Sequence, residues 1–119
     1  MALQLYYITD RRQFAGGAQE QEERLLAKIA ECVAAGVEYI QLREKGLESR
    51  ELENVAHKAM AAIGVSRTQL LINGRTDIAL ACGAHGVHLP ANDLSASEVR
   101  SIFARAGRSE PVIGVSAHS

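Results

Sequence analysis

The chain has 119 residues, 47% of them hydrophobic and 23% charged, with a formal net charge of -1. That is enough for one globular domain with a buried core. A near-neutral balance, no basic run and 4% aromatics argue against a nucleic-acid binder or a protein drawn to anionic membranes. No apolar run approaches a membrane span and no leader pattern opens the chain, so the expectation is a cytoplasmic protein. Cys32 and Cys82 lie in Ala-rich surroundings without a metal-ligand partner at close spacing, and read as core residues.

Residues 3–9 (LQLYYIT) read as a first strand ending at Asp10-Arg11-Arg12, followed by a polar, Gly-containing loop over 13–19. A helix is predicted over 20–35, with Leu25, Leu26, Ile29 and Val33 on one stripe and Gly36 as its stop. The second strand begins at Tyr39 and runs into the polar stretch Arg43-Glu44-Lys45-Gly46. Leu52, Val55, Ala56, Ala59, Met60 and Ile63 recur at helical period and predict a helix over 49–63. A third strand is expected over 69–73, a short helix over 76–81 and a fourth strand over 86–89. Ser95 with Glu98 is a capping box, and Leu94 with Val99 can staple it, so a fourth helix starts there and stops at Gly107. A fifth strand is expected over 112–116.

Strand and helix alternating at this spacing mean right-handed βαβ units and a parallel sheet, hence an α/β fold. Two closures fit: an open flavodoxin-like sheet, or a portion of a (β/α)8 barrel. In both, ligands belong at the C-terminal ends of the strands.

Side chains alternate along a strand. Ile40 and Leu42 therefore take one face, while Tyr39, Gln41, Arg43 and by extension Lys45 take the other. An amide, a guanidinium and an amine converging at one strand end suit an anion. Every predicted strand tip is polar: Thr9, Arg43, Asn73, His88 and Ser116. Helix-capping accounts for Thr9 and Ser116 without any ligand, but not for the Gln41, Arg43, Lys45 trio. Of the histidines, His57 reads as surface and His85 as a loop residue. His88 reads first as a hydrogen-bonded core residue and second as a functional one. His118 follows the last strand and is a further candidate. No spacing supports a zinc site.

These segments resemble successive motifs of the thiamine phosphate synthase family, which includes thiazole tautomerases. The runs are YYITDRR (6–12), QLREK (41–45), LLINGRTDIAL (70–80), GVHLPANDL (86–94) and IGVSAHS (113–119), in the family's order. The resemblance implies a TIM (β/α)8 barrel. It also implies a Mg²⁺-assisted transferase that joins hydroxymethylpyrimidine pyrophosphate to thiazole phosphate and releases pyrophosphate. By motif position, Gln41, Arg43, Lys45 and Asn73 would bind the pyrimidine substrate, Ser116 would sit beside its pyrophosphate, and Asp93 would be a Mg²⁺ ligand. No catalytic residue is singled out.

The sequence departs from the synthase pattern in three ways. Gly74 stands where synthases carry a second Mg²⁺ carboxylate, so Mg²⁺ binding is expected to be weak or lost. Pro90-Ala91 replaces the usual Gly-Gln. Both look like the tautomerase branch, which isomerises a thiazole carboxylate phosphate without this metal chemistry, whereas the intact QLREK looks like a synthase. Finally, a whole barrel needs about 250 residues. The expectation is therefore a (βα)4β portion, one partial barrel domain over residues 1–119, truncated after strand 5: a fragment or truncated gene product lacking the C-terminal half, or a chain that completes itself by pairing with another copy. A non-catalytic half-barrel is the remaining alternative.

Overall fold

The computed structural model describes residues 5–116. Its strands are β1 (Tyr6–Ile8), β2 (Tyr39–Leu42), β3 (Gln69–Asn73), β4 (Gly86–Leu89) and β5 (Val112–Val115). Between them run the helices α1 (Ala18–Ala34), α2 (Ser49–Ile63), α3 (Thr76–Cys82) and α4 (Ala96–Arg105). The bounds of α2, β3 and β4 coincide with those read from the sequence; α1 starts two residues earlier than expected. The first strand was expected from residue 3, but residues 3 and 4 lie outside the described residues. A 3-10 turn over Arg11–Gln13, not anticipated, follows β1. Asp10 initiates it by accepting a hydrogen bond from the Arg12 N–H at 3.0 Å.

All strand pairs are parallel, and the spatial order is β1-β2-β3-β4-β5. That order decides between the two closures. A doubly wound sheet reverses direction at a switch point and carries helices on both faces. Here each right-handed crossover advances the same way, which puts every helix on one face. α1 packs on α2 and α2 on α3. Their buried stripes, including Leu25, Ile29, Val55, Ala59, Ile63 and Ile78, form one core with the helix-facing strand residues. Ile40, Leu42, Leu70, Ile72, Val87 and Leu89 are the latter, none more than 2% exposed. Val99 and Phe103 of α4 complete the core. The predicted capping box holds α4: the Ser95 hydroxyl accepts from the Glu98 N–H at 3.1 Å, and the Glu98 carboxylate accepts from the Ser95 N–H at 3.1 Å.

The opposite, concave face carries Tyr6, Ile8, Gln41, Leu71, His88 and Gly114, as the register requires. Tyr6 is 46% exposed and Ile8 49%. This arrangement is the wall of a parallel barrel with its inner side open. Cys32 and Cys82 are buried, and burial pushes both thiols above their ordinary pKa, which suits packing and not chemistry.

Candidate functional site

β2 does most to organise the rim. Gln41 is 3% exposed, and both ends of its amide are hydrogen-bonded. Its Nε2 donates to the Tyr6 hydroxyl at 2.9 Å, and its Oε1 accepts from Asn73 Nδ2 at 2.7 Å. A chain of three polar side chains thus crosses β1, β2 and β3. It satisfies groups that would otherwise destabilise the wall. Gln41 therefore acts as a strut that fixes Asn73. The sequence pointed to Gln41 and Asn73; Tyr6 was missed, although strand alternation puts it on the same face two residues before Ile8.

Past Leu42 the alternation persists. Arg43 and Lys45 point to solvent at the rim, and Glu44 turns inward. Thr9, at the tip of β1, is 1% exposed, and its hydroxyl accepts from the Arg43 N–H at 3.1 Å. The Glu44 carboxylate is sealed against the 3-10 turn. Its Oε1 accepts from the Arg11 N–H at 2.9 Å and from Arg11 Nη1 at 3.2 Å, while the same Nη1 donates to the Lys45 carbonyl at 2.9 Å. Arg11 and Glu44 together set the path of the loop that carries Lys45. Neither was singled out from sequence; the inward parity of Glu44 between two outward cations was the available signal.

Across the sheet, His88 of β4 meets Ser116 just past β5, Nε2 to Oγ at 2.8 Å. Burial and the nearby Arg43 guanidinium push the His88 imidazole below its ordinary pKa, so it is neutral at neutral pH. His88 is half-buried on the concave face. The first reading of it, as a core residue, is corrected to a rim residue. The reason is that its strand neighbour on that face is Gly114, which offers no side chain to cover it. Gln41, Arg43, Lys45, Asn73, His88 and Ser116, with Tyr6, Ile8 and Pro90, surround one open concavity of about 430 Å³. Among the described residues neither Arg43 nor Lys45 is in a salt bridge. Two unneutralised cations, two amides and a hydroxyl around one hollow can take a multiply charged anion.

Other candidates stand apart. His85 is structural: its Nδ1 accepts the Leu70 N–H at 2.9 Å. His57 lies on the surface beside Glu53 at 3.7 Å. His118 lies outside the described residues.

Asp93 lies on the loop between β4 and α4, and its Oδ1 accepts the Leu94 N–H at 2.6 Å. Its Oδ2 stands 3.2 Å from where a Cβ on Gly74 would be. The two expected metal-ligand positions are therefore neighbours, but only one supplies a carboxylate. Among the described residues no three His, Cys, Asp or Glu side chains converge. One carboxylate does not fit a Mg²⁺ site held by the protein itself.

A parallel βα wall wound in one direction, with cations and amides at its C-terminal rim, defines part of a (β/α) barrel. The sequence pattern of the thiamine monophosphate synthase family matches residues 5–119, and the chain belongs to that family, one of transferases. The thiamine-phosphate synthase of Azorhizobium caulinodans is 40% identical over 120 residues, a match covering 98% of this chain and 50% of the relative. That of Solidesulfovibrio magneticus is 35% identical over 123 residues, covering 91% and 56%. Among solved structures, the thiamine phosphate pyrophosphorylase from Pyrococcus furiosus superposes with a TM-score of 0.77 at 26% identity, over 98% of this chain and 51% of that one. The chain spans about half the length of the relatives it matches. No helix among the described residues is long and apolar enough to cross a membrane.

Proposed function

We propose that this chain forms the pyrimidine-pyrophosphate side of a thiamine-phosphate synthase, and that turnover requires the other half of the barrel. The reaction joins hydroxymethylpyrimidine pyrophosphate to thiazole phosphate with loss of pyrophosphate. As the carbon–oxygen bond to the leaving group breaks, positive charge builds on the pyrimidine methylene and negative charge on pyrophosphate. Arg43 and Lys45 meet the departing anion. Asn73, fixed by Gln41, orients the pyrimidine, and Ser116 donates to the pyrophosphate. The observation that carries this reading is the convergence on one hollow of Gln41, Arg43, Lys45, Asn73, His88 and Ser116.

Mg²⁺ enters no step here. With Gly74 beside Asp93, the chain offers one carboxylate, and any ion would have to arrive on the pyrophosphate. The same observation favours a second reading, a thiazole tautomerase-like isomerase that binds thiazole carboxylate phosphate without metal. Calorimetric titration separates the two. The synthase reading expects inorganic pyrophosphate to bind, and Arg43→Gln and Lys45→Gln each to weaken it about ten- to hundredfold, the worth of one hydrogen bond to a charged group. Binding that is unaffected by both substitutions sinks it. Heat from the thiazole ligand alone, with none from pyrophosphate, selects the isomerase.

The uncovered concave face and the free edges of β1 and β5 call for an occupant. We assign it to the remaining strands of a family barrel, with their helices. A second copy of this chain would bring the total to about ten strands, not the eight at which this barrel closes.

A further inference from the structure

We propose that His88 is a positioning residue that commits the Ser116 hydroxyl to donate its proton into the concavity. A serine so polarised receives an anionic phosphate oxygen; one polarised the other way repels it. The inference rests on the reading of the rim as a pyrophosphate site, but the state of His88 can be established without it.

The two nitrogens of His88 have different surroundings. Nε2 lies 2.8 Å from Ser116 Oγ. Nδ1 is shut off from solvent and has no hydrogen-bond partner among the described residues. The cause is the pairing of β4 with β5: His88 lies opposite Gly114, and the ring lies so close over that glycine that a Cβ there would stand 2.6 Å from Nδ1. Only glycine leaves room for the ring, and its backbone then covers Nδ1.

A neutral imidazole has one proton and two places for it. On Nδ1 it would be a buried donor without an acceptor, the rarer and worse defect. Ser116 would then spend its own proton on Nε2 and turn a lone pair to the hollow. On Nε2 the proton goes to Ser116 Oγ, and only a lone pair at Nδ1 is left unmatched. The second tautomer is the one this packing selects. With one Ser116 lone pair occupied, its O–H rotates away from the ring, toward the space bounded by Arg43 and Lys45. Three donors then face one anion. The lowered pKa of His88 supports the neutral ring as the working form.

The test is long-range proton–nitrogen NMR on protein labelled with ¹⁵N-histidine, with His88→Gln identifying the resonances. The expected result is a protonated Nε2 and a bare Nδ1 for His88 in the ligand-free chain. The reverse pattern overturns the proposal. Calorimetry with inorganic pyrophosphate supplies the second arm. His88→Gln, which sets an amide N–H near the Nε2 position, keeps affinity within about threefold. His88→Met and Ser116→Ala each lose about tenfold, as for one hydrogen bond to a charge, and the double variant loses no more than either. Additive losses overturn the proposal. If the Met variant fails to fold, the spectrum of the native chain decides alone. If native protein binds no pyrophosphate, the site reading fails while the spectrum still decides the role of His88.

Discussion

Glu44 is a carboxylate in a buried setting, one that its residue type rarely takes. Its side chain is fully buried, and among the described residues its Oε2 has no hydrogen-bond partner. The carboxylate is tolerated because Arg11 meets it with both a backbone and a guanidinium N–H. Removing the cation leaves a buried, uncompensated charge. Arg11→Met is expected to destabilise the chain by about 2–4 kcal/mol, somewhat below a fully buried pair because Arg11 keeps 17% exposure. Arg11→Met combined with Glu44→Gln should recover most of that loss, since the amide oxygen still accepts the backbone N–H at position 11. Urea titration of both variants checks this. Histidines set the pH response. Burial, with Arg108 near His85 and Arg43 near His88, pushes both imidazoles below their usual 6.5. Below that value the unfolded chain binds more protons than the folded one, so stability falls as pH falls. The melting temperature is expected to drop on acidification below about pH 6.5. His85→Asn, which keeps an acceptor for the Leu70 N–H, should flatten that slope.

Among elements, the loops after β3 and β4 matter most for the metal question. Gly74 has φ of +67°, and its N–H bonds the His88 carbonyl at 2.9 Å, which ties the loop after β3 to strand β4. The left-handed conformation favours glycine but admits Asp at modest strain. Gly74→Asp would put a second carboxylate beside Asp93 Oδ2. Without metal, strain and like-charge repulsion should cost about 1–2 kcal/mol. With Mg²⁺ that loss should reverse, and the melting temperature should rise with metal concentration, while the native chain shows no such rise. Thermal scans of both proteins across a Mg²⁺ series check this. A variant that ignores Mg²⁺ would remove Asp93 from the assignment.

At the scale of the whole sheet, β1 and β5 are its edge strands among the described residues. Leu5, Tyr6, Ile8 and Val115 are all at least 46% exposed, and they lie on or beside the two edge strands. Such edges pair with whatever strand is offered. The chain alone is therefore expected to self-associate without turnover. Coexpression with the C-terminal half of the Azorhizobium caulinodans relative should give a one-to-one complex and synthase activity. Sedimentation and a turnover assay report the two outcomes. A monodisperse, active monomer would contradict the proposal that turnover requires the other half of the barrel.

Much of this was legible in one dimension. Helical period placed the core stripe of α2, strand alternation separated Ile40 and Leu42 from Gln41 and Arg43, and Ser95 with Glu98 marked the start of α4. Those signals are local, because a backbone of fixed period turns spacing into facing. The family motifs likewise pointed to Gln41, Arg43, Lys45, Asn73 and Ser116, which line one hollow, and to Asp93, which lines a different one beside Gly74. What required the tertiary structure was contact between residues far apart in the chain. Strand order excluded the doubly wound sheet. Tyr6 reached Gln41, Arg11 sealed Glu44, and Gly114 made room for His88 to meet Ser116. No spacing encodes such pairs, since each depends on which strands become neighbours and in what register.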